Sequence, residues 1–310
     1  MKILIITQKV DRQDPVLGFM HRWVEELAKN FEKVTVICLE KGEYDLPGVK
    51  VLSLGKENFQ FSIFNFQSIF EKLIFKLIFI FRFYKYIWEE RNNYDAVFVH
   101  MNQEYVLLAG DLWRLMGKRV YLWRNHGEGS WLTNIAVLLS YKVFYTSPGS
   151  YTAKFKKAVK MPVGIDTDFF KPDPNVERIP GSVLFLGRIS PVKKVLEFID
   201  WLESTDYSAT IAGPIPDRDK EYGEAVQHRV LHNEKIKYMG PVNQEEALKL
   251  YQSHEIYVNK TPAGSFDKTI FEALACGMKL RVDNPDAQNI RIEEHSLKKL
   301  MERLRREMVR

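Results

Sequence analysis

Short apolar, β-branched runs alternate along this chain with longer stretches whose apolar residues recur at helical spacing. The runs predict strands at Lys2–Thr7, Val34–Leu39, Val49–Leu54, Ala96–His100, Arg119–Leu122 and Val143–Thr146. A second series follows at Ser182–Leu186, Ser208–Ala212, Ile236–Met239, Ile256–Val258 and Lys279–Val282. Helical patterns lie near 18–30, 66–91, 104–116, 149–157, 193–203, 217–231, 244–252, 268–275 and 294–309. Such alternation implies parallel sheets covered on both faces, with ligands at the carboxyl ends of the strands. The pattern breaks near Gly164–Val176, where Pro172 and Pro174 block helix and ladder alike, and restarts at Ser182. The expectation is an α/β fold of two Rossmann-like domains, 1–168 and 177–290, with a cleft between them.

The segment 60–88 is dense in Phe and Ile, yet Glu71, Lys72, Lys76, Arg82 and Lys85 interrupt it. A spanning helix needs roughly twenty nearly uncharged residues, so insertion across a bilayer is not expected. Two readings remain: a helix buried against the N-terminal sheet, or an amphipathic surface lying in a membrane interface with its basic residues toward anionic lipid. Both can hold for different parts of the segment.

The 310 residues, 45% apolar and 27% charged, describe an ordinary globular protein, long enough for two domains. A net charge of +5 suits nucleic acid, anionic lipid or a phosphorylated small molecule and selects none of them. The lysines and arginines are dispersed and form no nucleic-acid recognition motif, so no nucleic-acid partner is expected. Cys38 and Cys276 sit in apolar surroundings without ligand-like spacing, which argues for buried thiols rather than a disulfide or a zinc site. The opening Met-Lys-Ile-Leu-Ile-Ile-Thr reads as a strand rather than a signal peptide, and the expected location is cytoplasmic.

Candidate chemistry concentrates in Phe185–Lys194 and Phe266–Gly277. In the first, an apolar strand runs into a glycine turn carrying Arg188 and Lys193. Cations at a strand-to-helix junction suit a diphosphate, because the helix that follows also offers N–H groups and a positive dipole end. In the second, Glu272 is a lone carboxylate in an otherwise apolar helix that stops at Gly277. A carboxylate accepts from both hydroxyls of a ribose diol.

These segments belong to an ordered series. It runs through Lys2–Thr7, Gly18 before Trp-Val-Glu-Glu-Leu-Ala28, Tyr94–His100, Val120–Gly127 and Pro162–Pro172. Phe185–Lys194, Ile211–Gly213, Tyr238–Val242 and Phe271–Gly277 complete it. The series resembles the family 4 glycosyltransferases of the GT-B fold over nearly the whole chain. The resemblance implies transfer of a sugar from a nucleotide-diphosphate-sugar to a glycan or lipid-linked acceptor, with retention at the anomeric carbon. The expected role is in cell-surface polysaccharide synthesis, with a peripheral site at the inner face of the membrane through the segment 60–88. Arg188 and Lys193 would hold the donor diphosphate and neutralise the leaving group. Glu272 would bind the ribose, and His126 would meet the donor sugar. Gly18 would let backbone N–H groups approach the phosphate, although a turn or helix-start role suits it equally. Further donor contacts fall on Gly187, Gly213, Ser265, Phe266, Asp267, Lys268 and Thr269. The family's mechanism needs neither a protein nucleophile nor a permanently bound cofactor, and no essential metal is expected. His100 reads as a packing or cleft-wall residue, and Asp166-Thr-Asp168 as a turn or hinge.

Two departures stand out. The family's second glutamate, eight residues before Glu272, is here Gly264, and Ser265, the turn's N–H groups or Asp267 are its candidate substitutes. From Asp283 the chain also runs quickly to Glu293–Leu304, which resembles the family's closing helix, so the C-terminal domain is expected to be short. That helix, 294–310, carries one apolar stripe; it is expected either to pack back on the first domain or to lay its basic face on lipid. Two alternatives accompany the enzyme reading: a catalytically silent nucleotide-sugar-binding protein, and a peripheral membrane scaffold.

Overall fold

The computed structural model describes residues 1–60 and 69–309; the part of the aromatic-segment expectation that falls on 61–68 lies outside them. Contacts divide the chain into two units. Unit 1 holds Met1–Thr146, Ser150–Met161 and Met301–Arg310, and unit 2 holds Ser147–Gly149 and Pro162–Leu300.

Unit 1 runs β1 (Lys2–Val10), α1 (Phe19–Asn30), β2 (Lys33–Lys41), β3 (Lys50–Ser53), the single turn α2 (Glu57–Gln60) and α3 (Ile69–Glu89). It continues with β4 (Ala96–His100), α4 (Gln103–Leu115), β5 (Arg119–Trp123), α5 (Trp131–Leu139), β6 (Lys142–Tyr145) and β7 (Ala158–Lys160). The seven strands are parallel in the order β3-β2-β1-β4-β5-β6-β7. Strand alternation sends Leu4, Ile6, Val97, Val99, Val120 and Leu122 into one core with Phe83, Ile87, Val106, Trp113 and Ala136 from the helices. On the other face His100 and Trp123 meet Trp23 of α1, and Phe98 packs against both His100 and Trp123.

Two expectations for this unit change. The helical pattern at 149–157 yields one 3₁₀ turn, Tyr151–Lys154, and then β7, which pairs in parallel with β6 as the edge strand. Helix α5, absent from the pattern reading, forms because Ser130 opens it: the Ser130 N–H donates to Thr133 Oγ1 at 3.1 Å. In α3, Phe83 and Ile87 are buried, whereas Leu73, Ile74, Leu77, Phe81 and Trp88 face solvent. No helix among the described residues is long and apolar enough to cross a membrane.

Unit 2 runs β8 (Ile179–Leu186), α6 (Val195–Glu203), β9 (Ser208–Ala212), α7 (Lys220–Leu231), β10 (Ile236–Tyr238), α8 (Gln244–Ser253), β11 (His254–Asn259), α9 (Lys268–Ala275) and β12 (Lys279–Val282). Its five strands are parallel in the order β10-β9-β8-β11-β12, two fewer than in unit 1. Leu184, Ala212 and Tyr257 face one core with Tyr251 and Phe271, while Val183, Phe185, Ile211 and Val258 face another with Phe198 and Ile199. Val163, Ile165 and Phe170 pack in the first of these cores, so the segment after Met161 belongs with unit 2. The closing helix α10 (Leu297–Val309) buries Leu300, Met301, Leu304 and Met308. Its last turns join unit 1, where Tyr121 OH donates to the Met308 carbonyl at 3.1 Å and Lys142 pairs with Glu307 at 2.8 Å.

Candidate functional site

In unit 2 the chain leaves β8 for β9 on one side, and β11 for β12 on the other. The carboxyl ends of β8 and β11 therefore form a topological switch point, where the loops diverge and leave room for a ligand. Both singled-out segments follow these two strands. After β8, Gly187 leads to Arg188, which is exposed, and then to Lys193, which is 8% exposed. The Lys193 ammonium is bonded to the Asp267 carboxylate and lies 3.4 Å from Thr261 Oγ1. Asp267 also accepts from Thr261 Oγ1 at 2.6 Å and from Asn259 Nδ2 at 3.1 Å. Burial pushes the Asp267 carboxyl up, but the Lys193 charge and these hydrogen bonds outweigh it and hold the group below its ordinary value.

Asp267 stands immediately before α9, which carries Lys268, Thr269 and Glu272. Glu272 is buried and accepts from Tyr251 OH at 2.9 Å. Burial, and then the Glu272 charge, raise the Tyr251 phenol well above its usual range, so it stays a donor. Burial lowers the Lys268 ammonium, with the Glu272 charge opposing, and its Nζ donates to the Val163 carbonyl at 3.3 Å. The Thr269 hydroxyl accepts from Tyr257 OH at 2.7 Å, and Tyr257 OH also reaches the Leu186 carbonyl at 3.2 Å.

Several other expected contact residues have internal roles. Gly213 follows β9 with φ +141°, and a Cβ there would lie 1.9 Å from the Gly187 carbonyl oxygen, so this glycine lets two loops touch. The Phe266 ring packs on Phe271, and its N–H donates to Ser147 Oγ at 3.0 Å. Ser265 is exposed, and its carbonyl accepts from buried Asn284 at 2.6 Å. Gly264 adopts φ +88°; its N–H donates to Asp286 at 2.6 Å and its carbonyl accepts from Gly149 at 3.0 Å. A glutamate at 264 would strain this backbone. Of the proposed substitutes, Asp267 is the one bonded to Lys193.

The helix after β8 differs from expectation at its start. A short 3₁₀ turn, Pro191–Lys193, intervenes, and the Leu196 N–H of α6 already donates to Tyr222 OH at 3.1 Å. Ser190, just before that turn, is buried, and its hydroxyl has no partner among the described residues. Asn259, Thr261, Tyr251 and Tyr257 complete the polar network without belonging to either motif. Their legible signal is a cluster of hydrogen-bonding residues at the end of a buried strand.

In unit 1, His126 is exposed on the loop after β5, with Nδ1 3.1 Å from the Glu128 N–H. Buried Arg124 braces this loop by donating to the carbonyls of His126 at 3.3 Å and Glu128 at 2.7 Å. The Gly18 N–H donates to the Asp14 carbonyl at 3.0 Å and its φ is −54°, an ordinary helix-start geometry. His100 packs among Phe19, Trp23 and Trp123. In unit 2, Asp166 Oδ1 accepts from the N–H groups of Asp168 and Phe169, both at 3.2 Å, which makes the segment a turn.

No protein-family model and no curated protein matches the sequence. Solved structures do. Anabaena Alr3699/HepE in complex with UDP and glucose aligns at 15% identity over 90% of this chain and 80% of that one, with a TM-score of 0.66. WaaG, a glycosyltransferase involved in lipopolysaccharide biosynthesis, aligns at 13% identity over 99% of this chain and 90% of that one, with a TM-score of 0.57. The chain has the GT-B glycosyltransferase fold. A UDP-GlcNAc 2-epimerase from Methanocaldococcus jannaschii also aligns, at 13% identity over 100% of this chain and 98% of that one, with a TM-score of 0.54. The GT-B fold thus accompanies more than one reaction, and activity must be argued from the residues.

Proposed function

We propose that the chain is a glycosyltransferase that takes its sugar from a nucleotide-diphosphate-sugar. The observation that carries this reading is the placing of Arg188 and Lys193 after β8, and of Glu272 on α9 after β11, at the switch point of the unit 2 sheet. Cations suit a diphosphate, and a carboxylate can accept from both hydroxyls of a ribose. Arg188 is exposed at the same strand end, where a leaving diphosphate would gather charge. The reading extends to retention, with the acceptor hydroxyl attacking on the leaving-group face and a donor phosphate oxygen taking the proton. The substrate class we favour is a glycan or lipid-linked acceptor at a cytoplasmic membrane face. Exposed Leu73, Leu77, Phe81 and Trp88 beside Lys76 and Lys85 on α3 support that placement.

The test is a panel of nucleotide-sugars followed by nucleoside diphosphate release, with and without acceptor. Release that depends on acceptor, lost in Arg188→Ala, supports transfer. The backbone at Gly264 favours one rival, a silent donor-binding protein, because no side chain there can serve the sugar. Donor binding without turnover across the panel would establish that rival. For the membrane placement, Leu77→Ser with Phe81→Ser should reduce flotation with anionic vesicles, and unchanged flotation refutes it.

A further inference from the structure

Unit 1 carries a cavity of about 340 Å³ at the amino ends of β5 and β6, away from the carboxyl ends of its strands. Four cations line it: Arg114 from the last turn of α4, Lys118 and Arg119 at the entry to β5, and Lys157 before β7. The partners described for Lys118 and Lys157 are neutral. Lys157 Nζ donates to the Leu138 carbonyl at 3.2 Å and the Ser140 carbonyl at 2.7 Å, and Lys118 Nζ donates to the Tyr94 carbonyl at 2.6 Å. Arg119 lies over the Tyr141 ring at 5.0 Å. Burial and then the nearby Arg114 charge lower the Lys157 ammonium, so the cations repel one another there.

Helix capping accounts for two of the cations singly, because Lys157 and Arg114 sit where helices α5 and α4 end. It does not account for four of them converging on one cavity whose described lining contains no carboxylate. An ammonium has three donors and a guanidinium five, so the carbonyl contacts leave N–H groups of Lys118, Lys157 and Arg114 for a multi-oxygen anion. We propose that this cavity binds a phosphate group. The rim also exposes Leu138 (68%) and Tyr141 (48%), a surface that suits a phosphate carried on a lipid headgroup as well as a free one. The assignment is independent of the proposed transfer activity.

The test uses the full chain with Arg188→Gln, so that the cation of the unit 2 site does not contribute. Inorganic phosphate is titrated calorimetrically, and co-sedimentation is measured with phosphatidylcholine vesicles with and without phosphatidylglycerol. Arg114→Gln with Lys118→Gln should weaken binding about tenfold, the loss expected for charge-assisted hydrogen bonds. A control pair, Lys220→Gln with Lys237→Gln, removes the same charge from unit 2 and should leave binding unchanged. Saturable binding of inorganic phosphate identifies a free ion as sufficient; binding only to the phosphatidylglycerol vesicles, when it is weakened by Arg114→Gln with Lys118→Gln in a Leu77→Ser, Phe81→Ser background, identifies a lipid headgroup. Absence of both, or an equal loss in the control pair, overturns the site. Should the double variant lose stability, Arg114→Gln alone decides, with a severalfold loss expected.

Discussion

Replacing Asp267 with Asn should destabilise unit 2 by stranding a buried ammonium. Lys193 is 8% exposed, and Asp267 is its charged partner while also holding Thr261 and Asn259. Removing one member of a buried ion pair costs about 3–5 kcal/mol. Here the Asp267 side chain keeps 18% of its exposure, so water screens part of the loss, and Asn retains an acceptor for Thr261. The expected change is therefore about 2–3 kcal/mol, read as a lower urea midpoint at constant slope. Asp267→Ala removes the remaining acceptor too and should cost a further increment of about 1 kcal/mol or more. The pH dependence supplies the sign. Because the folded-state pKa of Asp267 is lowered, its stabilisation is complete above the unfolded-state value near 3.9 and is lost as pH falls through the folded-state value. The gap between wild type and Asp267→Asn should stay flat from about pH 8 to pH 5 and close only in stronger acid. A gap below about 0.5 kcal/mol at neutral pH, or one undiminished in strong acid, would refute the argument.

Three further substitutions probe the same site. Gly213→Ala places a Cβ 1.9 Å from the Gly187 carbonyl in a backbone at φ +141° and should cost about 3 kcal/mol or more by denaturant titration; a loss below about 1 kcal/mol would mean the two loops part freely. Gly264→Ala meets nothing closer than 3.5 Å, so only its φ of +88° counts, and a loss of about 1–2 kcal/mol by calorimetry is expected; no change would show that the loop readily adopts another conformation. Tyr251→Phe takes a hydrogen bond from buried Glu272 and should cost about 1–3 kcal/mol, with weaker nucleotide-sugar binding by thermal shift; unaltered stability would mean water replaces the hydroxyl.

Much of the fold was legible because each strand is an apolar run flanked by turn residues. Ala96–His100, Ser208–Ala212 and Lys279–Val282 fall where the pattern puts them. The pattern is blind where periodicity carries little signal. Trp131–Leu139 is apolar on nearly every side, so its helical phase is hidden and only Ser130 marks its start. Ala158–Lys160 is too short to declare itself and becomes a strand by pairing with β6. In the candidate site, the ends of the network were visible as Lys193 and Glu272, with Arg188 exposed at the end of β8. The middle was not: Asn259, Thr261 and Tyr251 gain meaning only when β11 and α8 are brought beside α9.

The Gly264 departure also changes character once its backbone is known. A missing glutamate suggests a deleted function, but the loop at 264 has a conformation that only glycine adopts readily, fixed by Gly149, Asn284 and Asp286. A single Gly264→Glu change would therefore strain the loop before it restored any contact. The acidic group that meets Lys193 is Asp267, at the helix entry, where the first turn of α9 favours a negative charge. Arg188, the exposed cation at the end of β8, is left open to solvent, whereas Lys193 is paired. An incoming diphosphate would meet Arg188 first, and it must compete with Asp267 for Lys193. Donor affinity should accordingly fall more in Arg188→Ala than in Lys193→Ala when both are measured by nucleoside diphosphate titration. The opposite order would show that Lys193 exchanges Asp267 for the ligand.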